Sequence, residues 1–324
     1  MRALVTGGAG FIGSNLVDRL LSEGYEVTII DNLSSGSQEK IRSYLDNPLF
    51  NFIQESVLNE EVIKTQIKNC DVIFHLAAMV GVENYISSPY DVLNVNINGT
   101  QLILKFAYEY GKKVIFSSTS EIYGKNPLIP FSEVDDRVLG STKIHRWCYS
   151  SSKAVGEHLC FAYAEMGLQV VILRFFNLYG PRADSLNEGR VITVFLGRMF
   201  MNEPVPIIGD GKQTRSFCYI EDAINGIIRA QKTEEACGEV INIGSNEEVT
   251  ILELARMMKK ISKSKSKIIF VKKESVYGNS YEDIPRRVPD ISLARKILHF
   301  SPTTKLNEGL ERTIHWFKES NLKK

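Results

Sequence analysis

The run Thr6-Gly7-Gly8-Ala9-Gly10-Phe11-Ile12-Gly13 is the feature that most narrows what this chain can fold into. It follows an apolar segment, Ala3–Thr6, and opens an amphipathic one, Ile12–Glu23. Gly7 permits a tight turn, Gly10 lets backbone approach a ligand, and Gly13 lets a helix lie close to a strand. The backbone N–H groups and dipole of a helix N-terminus favour negative charge, so a phosphate-bearing ligand is expected there. Three glycines at this spacing say little alone. Strand, loop and helix in the required order say much more.

The rest of the chain fits that beginning. Ala3–Thr6, Glu26–Ile30, Val72–Leu76, Lys113–Ser117 and Val170–Phe175 are short runs rich in Val and Ile, and read as buried strands. Ile12–Glu23, Val92–Tyr110 and Ser151–Met166 carry apolar residues at three-to-four spacing and read as helices. Alternating strands and helices imply crossovers, hence an α/β fold with a doubly wound parallel sheet. From about residue 176 the pattern gives way to loops and shorter elements. We therefore expect a dinucleotide-binding domain over 1–175 and a smaller α/β substrate-binding part over 176–324, interleaved with the first and without a clean linker. Asp31 ends the second strand, where a carboxylate can accept hydrogen bonds from ribose hydroxyls and repel a 2′-phosphate. That favours NAD over NADP; the alternative is an aspartate capping the next turn.

Composition excludes other classes. The formal charge of +1 offers no field for nucleic acid, and the basic stretch Met258–Lys273 reads as a solvated helix end and loop. No apolar run approaches the roughly 20 residues that span a bilayer, and the N-terminus lacks the pattern of a signal peptide. Cys70, Cys148, Cys160, Cys218 and Cys237 are odd in number with no C-x-x-C pair, which suits a reducing cytoplasm. The five histidines show no metal-ligand spacing, so no metal is expected.

Tyr149-Ser150-Ser151-Ser152-Lys153 sets a phenol and an ammonium four residues apart on one helix face. A nearby cation favours the phenolate, and the tyrosine is expected to act as a base near neutrality. On its own such a pair is most often a surface contact. Here a strand ending in Ser117-Ser118-Thr119-Ser120-Glu121 precedes it by about thirty residues, after the glycine loop.

With these residues in view, the chain resembles the extended short-chain dehydrogenase/reductase family, in its nucleotide-sugar epimerase, dehydratase and decarboxylase branch. The resemblance runs nearly end to end. It includes His75-Leu76-Ala77-Ala78, Asn96-Ile97-Asn98-Gly99-Thr100, and Arg174-Phe175-Phe176-Asn177-Leu178-Tyr179-Gly180-Pro181-Arg182. It continues through Arg215-Ser216-Phe217-Cys218-Tyr219-Ile220 and Asp283-Ile284-Pro285-Arg286-Arg287-Val288-Pro289-Asp290. It implies a Rossmann-like fold holding NAD against Gly7, Gly10, Phe11, Ile12, Gly13, Asp31, Asn32, Leu76, Ala77 and Ala78, with Tyr149 and Lys153. Tyr149 would take the proton from a sugar hydroxyl, usually at C4, as hydride leaves; Lys153 would hold the ribose, and Thr119 the hydroxyl. Asn177, Arg182, Arg215 and Arg287 would bind the nucleotide sugar, UDP being the family's usual carrier, and the chain would form a homodimer through the helices at Val92–Tyr110 and Ser151–Met166. Ser56 departs from the aspartate that many relatives carry to contact adenine.

The step after oxidation separates the members of this branch. A C4 ketone can be turned over, can lose water after C5–H abstraction, or can release CO2 from a C5 carboxylate. The last two need a further group to move a proton, and Ser120 and Glu121, beside Thr119, supply a candidate set. Thr119-Ser120-Glu121 resembles both the GDP-mannose 4,6-dehydratases and the UDP-glucuronate decarboxylases. Arg146-Trp147-Cys148-Tyr149-Ser150, Gly180–Asn187 and Tyr281-Glu282-Asp283 resemble the decarboxylase of the aminoarabinose–lipid A pathway. The order is therefore decarboxylase, then 4,6-dehydratase, then 4-epimerase, with a non-catalytic NAD-binding sensor as the alternative of another class. Cys148 and Cys218 have no histidine neighbour and read as packing residues; His75 reads as structural, under the cofactor.

Overall fold

A computed structural model describes residues 1–183, 186, 189–272, 284 and 286–322. Seven strands form one parallel sheet: β1 (Arg2–Thr6), β2 (Glu26–Ile30), β3 (Phe50–Ile53), β4 (Val72–His75), β5 (Lys113–Thr119), β6 (Val170–Phe175) and, after four short strands named below, β11 (Val240–Ile243). Their order across the sheet is β11-β6-β5-β4-β1-β2-β3. Chain order reverses between β1 and β4, and in doubly wound sheets the crevice at such a switch point is where ligands bind.

Both faces of the sheet are covered, which is why its strands read as apolar runs rather than alternations. β1 turns Ala3 and Val5 to one face and Leu4 to the other, all essentially without exposure. On the Leu4 face lie α2 (Glu60–Asn69), α4 (Pro89–Glu109) and α5 (Arg146–Glu165). On the other lie α1 (Phe11–Ser22) and α7 (Ile220–Lys232). A short α3 (Val82–Ser87) precedes α4, whose first residue, Pro89, needs no donor there.

The remaining elements are small. β7 (Leu178–Tyr179) pairs with β10 (Cys218–Tyr219), and β8 (Val205–Ile208) with β13 (Ile268–Val271). β9 (Thr214–Ser216) is central to a sheet with β12 (Glu248–Thr250) and β14 (Arg286–Arg287). α6 (Val191–Phe200) and α8 (Ile251–Ser262) pack against each other, and α8 opens on a capping box between Thr250 and Glu253. Helices Ser292–Leu298 and Leu306–Leu322 close the chain.

Most boundaries shift by one to five residues from the sequence reading, and three of the shifts bear on the site. The helix carrying Tyr149 begins at Arg146, not Ser151, so Tyr149 and Arg146 share its first turns. β5 runs on to Thr119, and β4 stops at His75. β3 and β11 were not foreseen: each is four residues long, too brief for its pattern to stand out, and β11 carries a polar Asn242. That asparagine is buried because it is used: Tyr123 donates to its Oδ1 at 2.7 Å, and its amide donates to Phe131 O and Asp290 O.

Candidate active site

The C-terminal ends of β1, β2 and β4 build one cradle. Gly7 sits at φ +72°, and a Cβ there would meet the Ala77 backbone at 2.8 Å. A Cβ on Gly13 would lie 2.1 Å from Gly7 O, so only glycine lets α1 approach the turn this closely. A Cβ on Gly10 would meet only Gly7 O, at 3.1 Å, which leaves its outer side open. Gly10 is the N-cap of α1 and offers no side-chain acceptor, and no acidic residue stands in the first turn. The helix end thus remains suited to phosphate. Asp31 accepts from Ala9 N at 2.9 Å and Leu33 N at 2.8 Å, which fixes its carboxylate beside the loop; burial pushes its pKa up. Asn32 is exposed, and Phe11 and Ile12 lead into the helix. Leu76, Ala77 and Ala78 follow β4 and are half-buried. These residues fit a dinucleotide.

His75 lies behind them, held neutral. Thr100 gives its proton to Asn96 O, so its oxygen accepts from His75 Nε2 at 3.1 Å. Thr6 accepts from Ala77 N and donates to Nδ1 at 2.7 Å. Burial, and the charge of Lys153, lower its pKa to about 3.

The second cluster joins β5, α5 and the C-terminal part. Thr119 ends β5, and Ser120–Tyr123 form a tight turn in which Ser120 is buried. Tyr149 is buried, hydrogen-bonded with Thr119, and stacked on Tyr85 of α3 at 4.8 Å between ring centroids. Its pKa is raised, first by burial and then by Glu121; the Thr119 bond and Arg190 oppose this. This corrects the expectation that its cation lowers it, because desolvation outweighs the opposing charges. Lys153 lies 4.5 Å from the Phe116 ring centroid, and burial brings it down to about 8.

Glu121 is gripped at both oxygens. Arg287 Nη1 reaches Oε1 at 2.8 Å and Arg146 Nη2 reaches Oε2 at 3.2 Å. Burial alone would raise its pKa, but Arg287, Arg146 and Arg215 hold it below the usual carboxylate range. Arg215 and Arg287 are register partners on β9 and β14, and Asn177 donates to Ser216 O at 2.9 Å next to Arg215.

Arg182 is not brought to this cluster. Its guanidinium donates to Ser14 O at 2.9 Å and lies 3.7 Å from Asp18, over the Tyr44 ring, because its backbone at φ +62° turns it onto α1. Three residues that sequence reasoning did not single out do belong: Arg146, Tyr85 and Arg190, whose guanidinium lies 5.2 Å from the Phe11 ring centroid and whose charge reaches Tyr149. Arg146 had a legible signal, since three residues before Tyr149 on a helix is the same face. Burial raises the thiol pKa of both Cys148 and Cys218, the wrong direction for a nucleophile. Asp184, Ser185, Asn187, Lys273, Tyr281–Asp283 and Pro285 lie outside the described residues. Among the described residues no group of three or more His, Cys, Asp or Glu could hold a metal ion, and no helix is long and apolar enough to cross a membrane.

A switch-point cradle for a dinucleotide beside a Thr–Tyr–Lys set defines a short-chain-dehydrogenase-type oxidoreductive site. The sequence model of the NAD dependent epimerase/dehydratase family matches residues 3–244, and the chain belongs to that family. NAD is its cofactor. The chain is 42% identical over 318 residues to a UDP-N-acetyl-alpha-D-glucosaminuronate decarboxylase of Bacillus cytotoxicus, covering 98% of each. It is 34% identical to UDP-glucuronic acid decarboxylase 1 of Xenopus tropicalis, covering 98% of this chain and 72% of that one. Among solved structures it is similar to UDP-glucuronic acid 4-epimerase from Bacillus cereus, solved with UDP-glucuronic acid and NAD. The TM-score is 0.88 and the identity 34%, with 99% of this chain and 100% of that chain covered.

Proposed function

We propose that this chain decarboxylates a UDP-linked hexuronate through transient oxidation at C4. The observation that carries the reading is an ionised Glu121 held between two guanidinium groups beside Thr119 and Tyr149. Four arginines act here, Arg146, Arg215 and Arg287 on Glu121 and Arg190 on Tyr149, against that one carboxylate. Such an excess of positive charge suits a substrate bearing both a diphosphate and a sugar carboxylate. The two decarboxylases above support the reaction, and the UDP-glucuronic acid 4-epimerase supports the substrate class.

In this reading residues 1–175 hold NAD and 176–324 mainly hold the nucleotide sugar, through Asn177, Arg215 and Arg287. When bound, NAD supplies the hydride acceptor and a positive charge. Tyr149 takes the O4 proton, assisted by Thr119. The ketone makes the C6 carboxylate a β-keto acid. As the C5–C6 bond breaks and CO2 leaves, its electron pair moves to O4, where the protonated Tyr149 and Thr119 can donate hydrogen bonds. C5 takes a proton from water, the hydride returns to C4, and Tyr149 gives its proton back to O4. The enzyme is proposed to be cytoplasmic, which five free cysteines suit. It is also proposed to be a homodimer joined through α4 and α5, which leave Tyr90, Leu93, Tyr108 and Val155 exposed.

The test is mass spectrometry and proton NMR of the purified protein with NAD and UDP-glucuronate or UDP-N-acetylglucosaminuronate. A product lighter by CO2, carrying one deuterium at C5 when made in D2O, is expected. An unchanged mass with altered C4–H coupling makes the chain an epimerase instead, and loss of water a dehydratase.

A further inference from the structure

Glu121 follows β5, yet much of what fixes it comes from α5. Ser150 donates to its carbonyl at 2.8 Å and Arg146 binds its Oε2, with Tyr149 between them in the same turns of a 20-residue helix. Arg287 arrives from elsewhere, on a two-residue strand of the other part of the molecule. Both guanidinium groups are buried; Arg146 also lies against the Trp147 ring at 5.4 Å. Arg146 stands against local preference. It opens α5, where the helix dipole disfavours a cation, with no acidic residue in the first turn and no side-chain cap from His145. Rules of local consistency are broken chiefly where a site requires it.

We propose that Arg146 is a positioning residue that keeps Glu121 charged and aimed into the site while Arg287 turns from Glu121 to the substrate carboxylate. The inference rests on the uronate reading. A substrate carboxylate adds a second anion beside Glu121. With Arg287 as its one ion-pair partner, the exchange would leave the buried carboxylate with the charge of Arg215 alone, and Glu121 would be pushed toward taking up a proton. Arg146, anchored on the helix that carries the base, removes that outcome. A charged Glu121 beside the uronate carboxylate then favours its departure as neutral CO2.

The experiment compares the NAD-loaded wild type with Arg146→Met and Arg146→Lys on a UDP-hexuronate. Reduced-nicotinamide absorbance in single turnover reads oxidation, and mass reads CO2 release, across pH. In Arg146→Met, KM and the oxidation rate are expected to stay within about threefold. CO2 release is expected to slow by about 10–100-fold, less than the roughly 10²–10⁴-fold that a group moving the proton itself contributes, because Arg146 acts through Glu121. The acidic limb of its pH profile is expected to rise by about one unit, as Glu121 loses a cation. Arg146→Lys restores most of the loss. A parallel fall in KM performance, oxidation and CO2 release, with no shift of the acidic limb and no rescue by lysine, overturns the inference in favour of a purely structural arginine. If the wild type releases no CO2, the uronate reading itself fails. The Glu121 carboxyl titration, followed by 13C NMR and assigned with Glu121→Gln, then decides: a midpoint that rises in Arg146→Met upholds the clamp, and an unmoved one overturns it.

Discussion

Tyr149 and His75 show how single groups are tuned by burial. Burial raises the pKa of Tyr149, and its proposed use as a base depends on the opposing influence of the Thr119 hydrogen bond and Arg190. Tyr149→Phe removes the proton acceptor without changing the ring stack on Tyr85. Turnover should fall by about 10²–10⁴-fold while NAD stays bound, measured by single-turnover kinetics and cofactor content. His75 lies in a site that accepts only its neutral form. Its folded pKa of about 3 is below the unfolded value, so the unfolded chain binds more protons between roughly pH 6.5 and 3. Its contribution is present above pH 6.5 and is lost as pH falls through that window. Denaturant titrations from pH 7 to 4 should show a stability slope shallower in His75→Gln than in wild type, by up to about 1.4 kcal/mol per pH unit.

At the scale of elements, β5, β6 and α5 are locked by charge as well as by packing. Arg174 of β6 makes a two-point pair with Glu157 of α5, at 2.9 and 2.7 Å, and donates to Tyr123 Oη and Glu133 O. Ser118 of β5 donates to the same Glu157 at 2.5 Å. Ser118 adjoins Thr119, and Glu157 lies one turn beyond Lys153, whose protonated form it favours. The network therefore sets the strand end and the helix of the site against each other. Arg174→Met leaves a buried carboxylate short of its cation and should cost about 3–5 kcal/mol in denaturant unfolding. Adding Glu157→Gln should recover part of that loss, and a strictly additive result contradicts the coupling.

At the scale of the molecule, the two helices α4 and α5, which meet on one face of the sheet, expose several large apolar side chains. Val155 is 38% and Leu93 36% exposed, and Tyr90 reaches 75%. Joining two copies through α4 and α5 would bury them. Light scattering should report a dimer for the wild type and a monomer for Leu93→Asp/Val155→Asp. A monomeric wild type removes the dimer from the reading.

The sequence by itself determined the parts of this protein whose logic is local. The glycine loop is set by backbone geometry within eight residues, the placing of Tyr149 and Lys153 on one helix by one helical turn, and the core strands by runs of Val and Ile. Strand–helix alternation then carried the doubly wound sheet, and all of this was legible. Only the tertiary structure decided which distant groups meet. Nothing near Glu121 in sequence says that Arg287 grips one oxygen while Arg146 grips the other, nor that Arg182, in the same motif as Asn177, turns away onto α1. The direction of the Tyr149 shift was missed for the same reason. Neighbouring charges can be read from spacing, but desolvation is a sum over every element packed around the group, and here it is the largest effect.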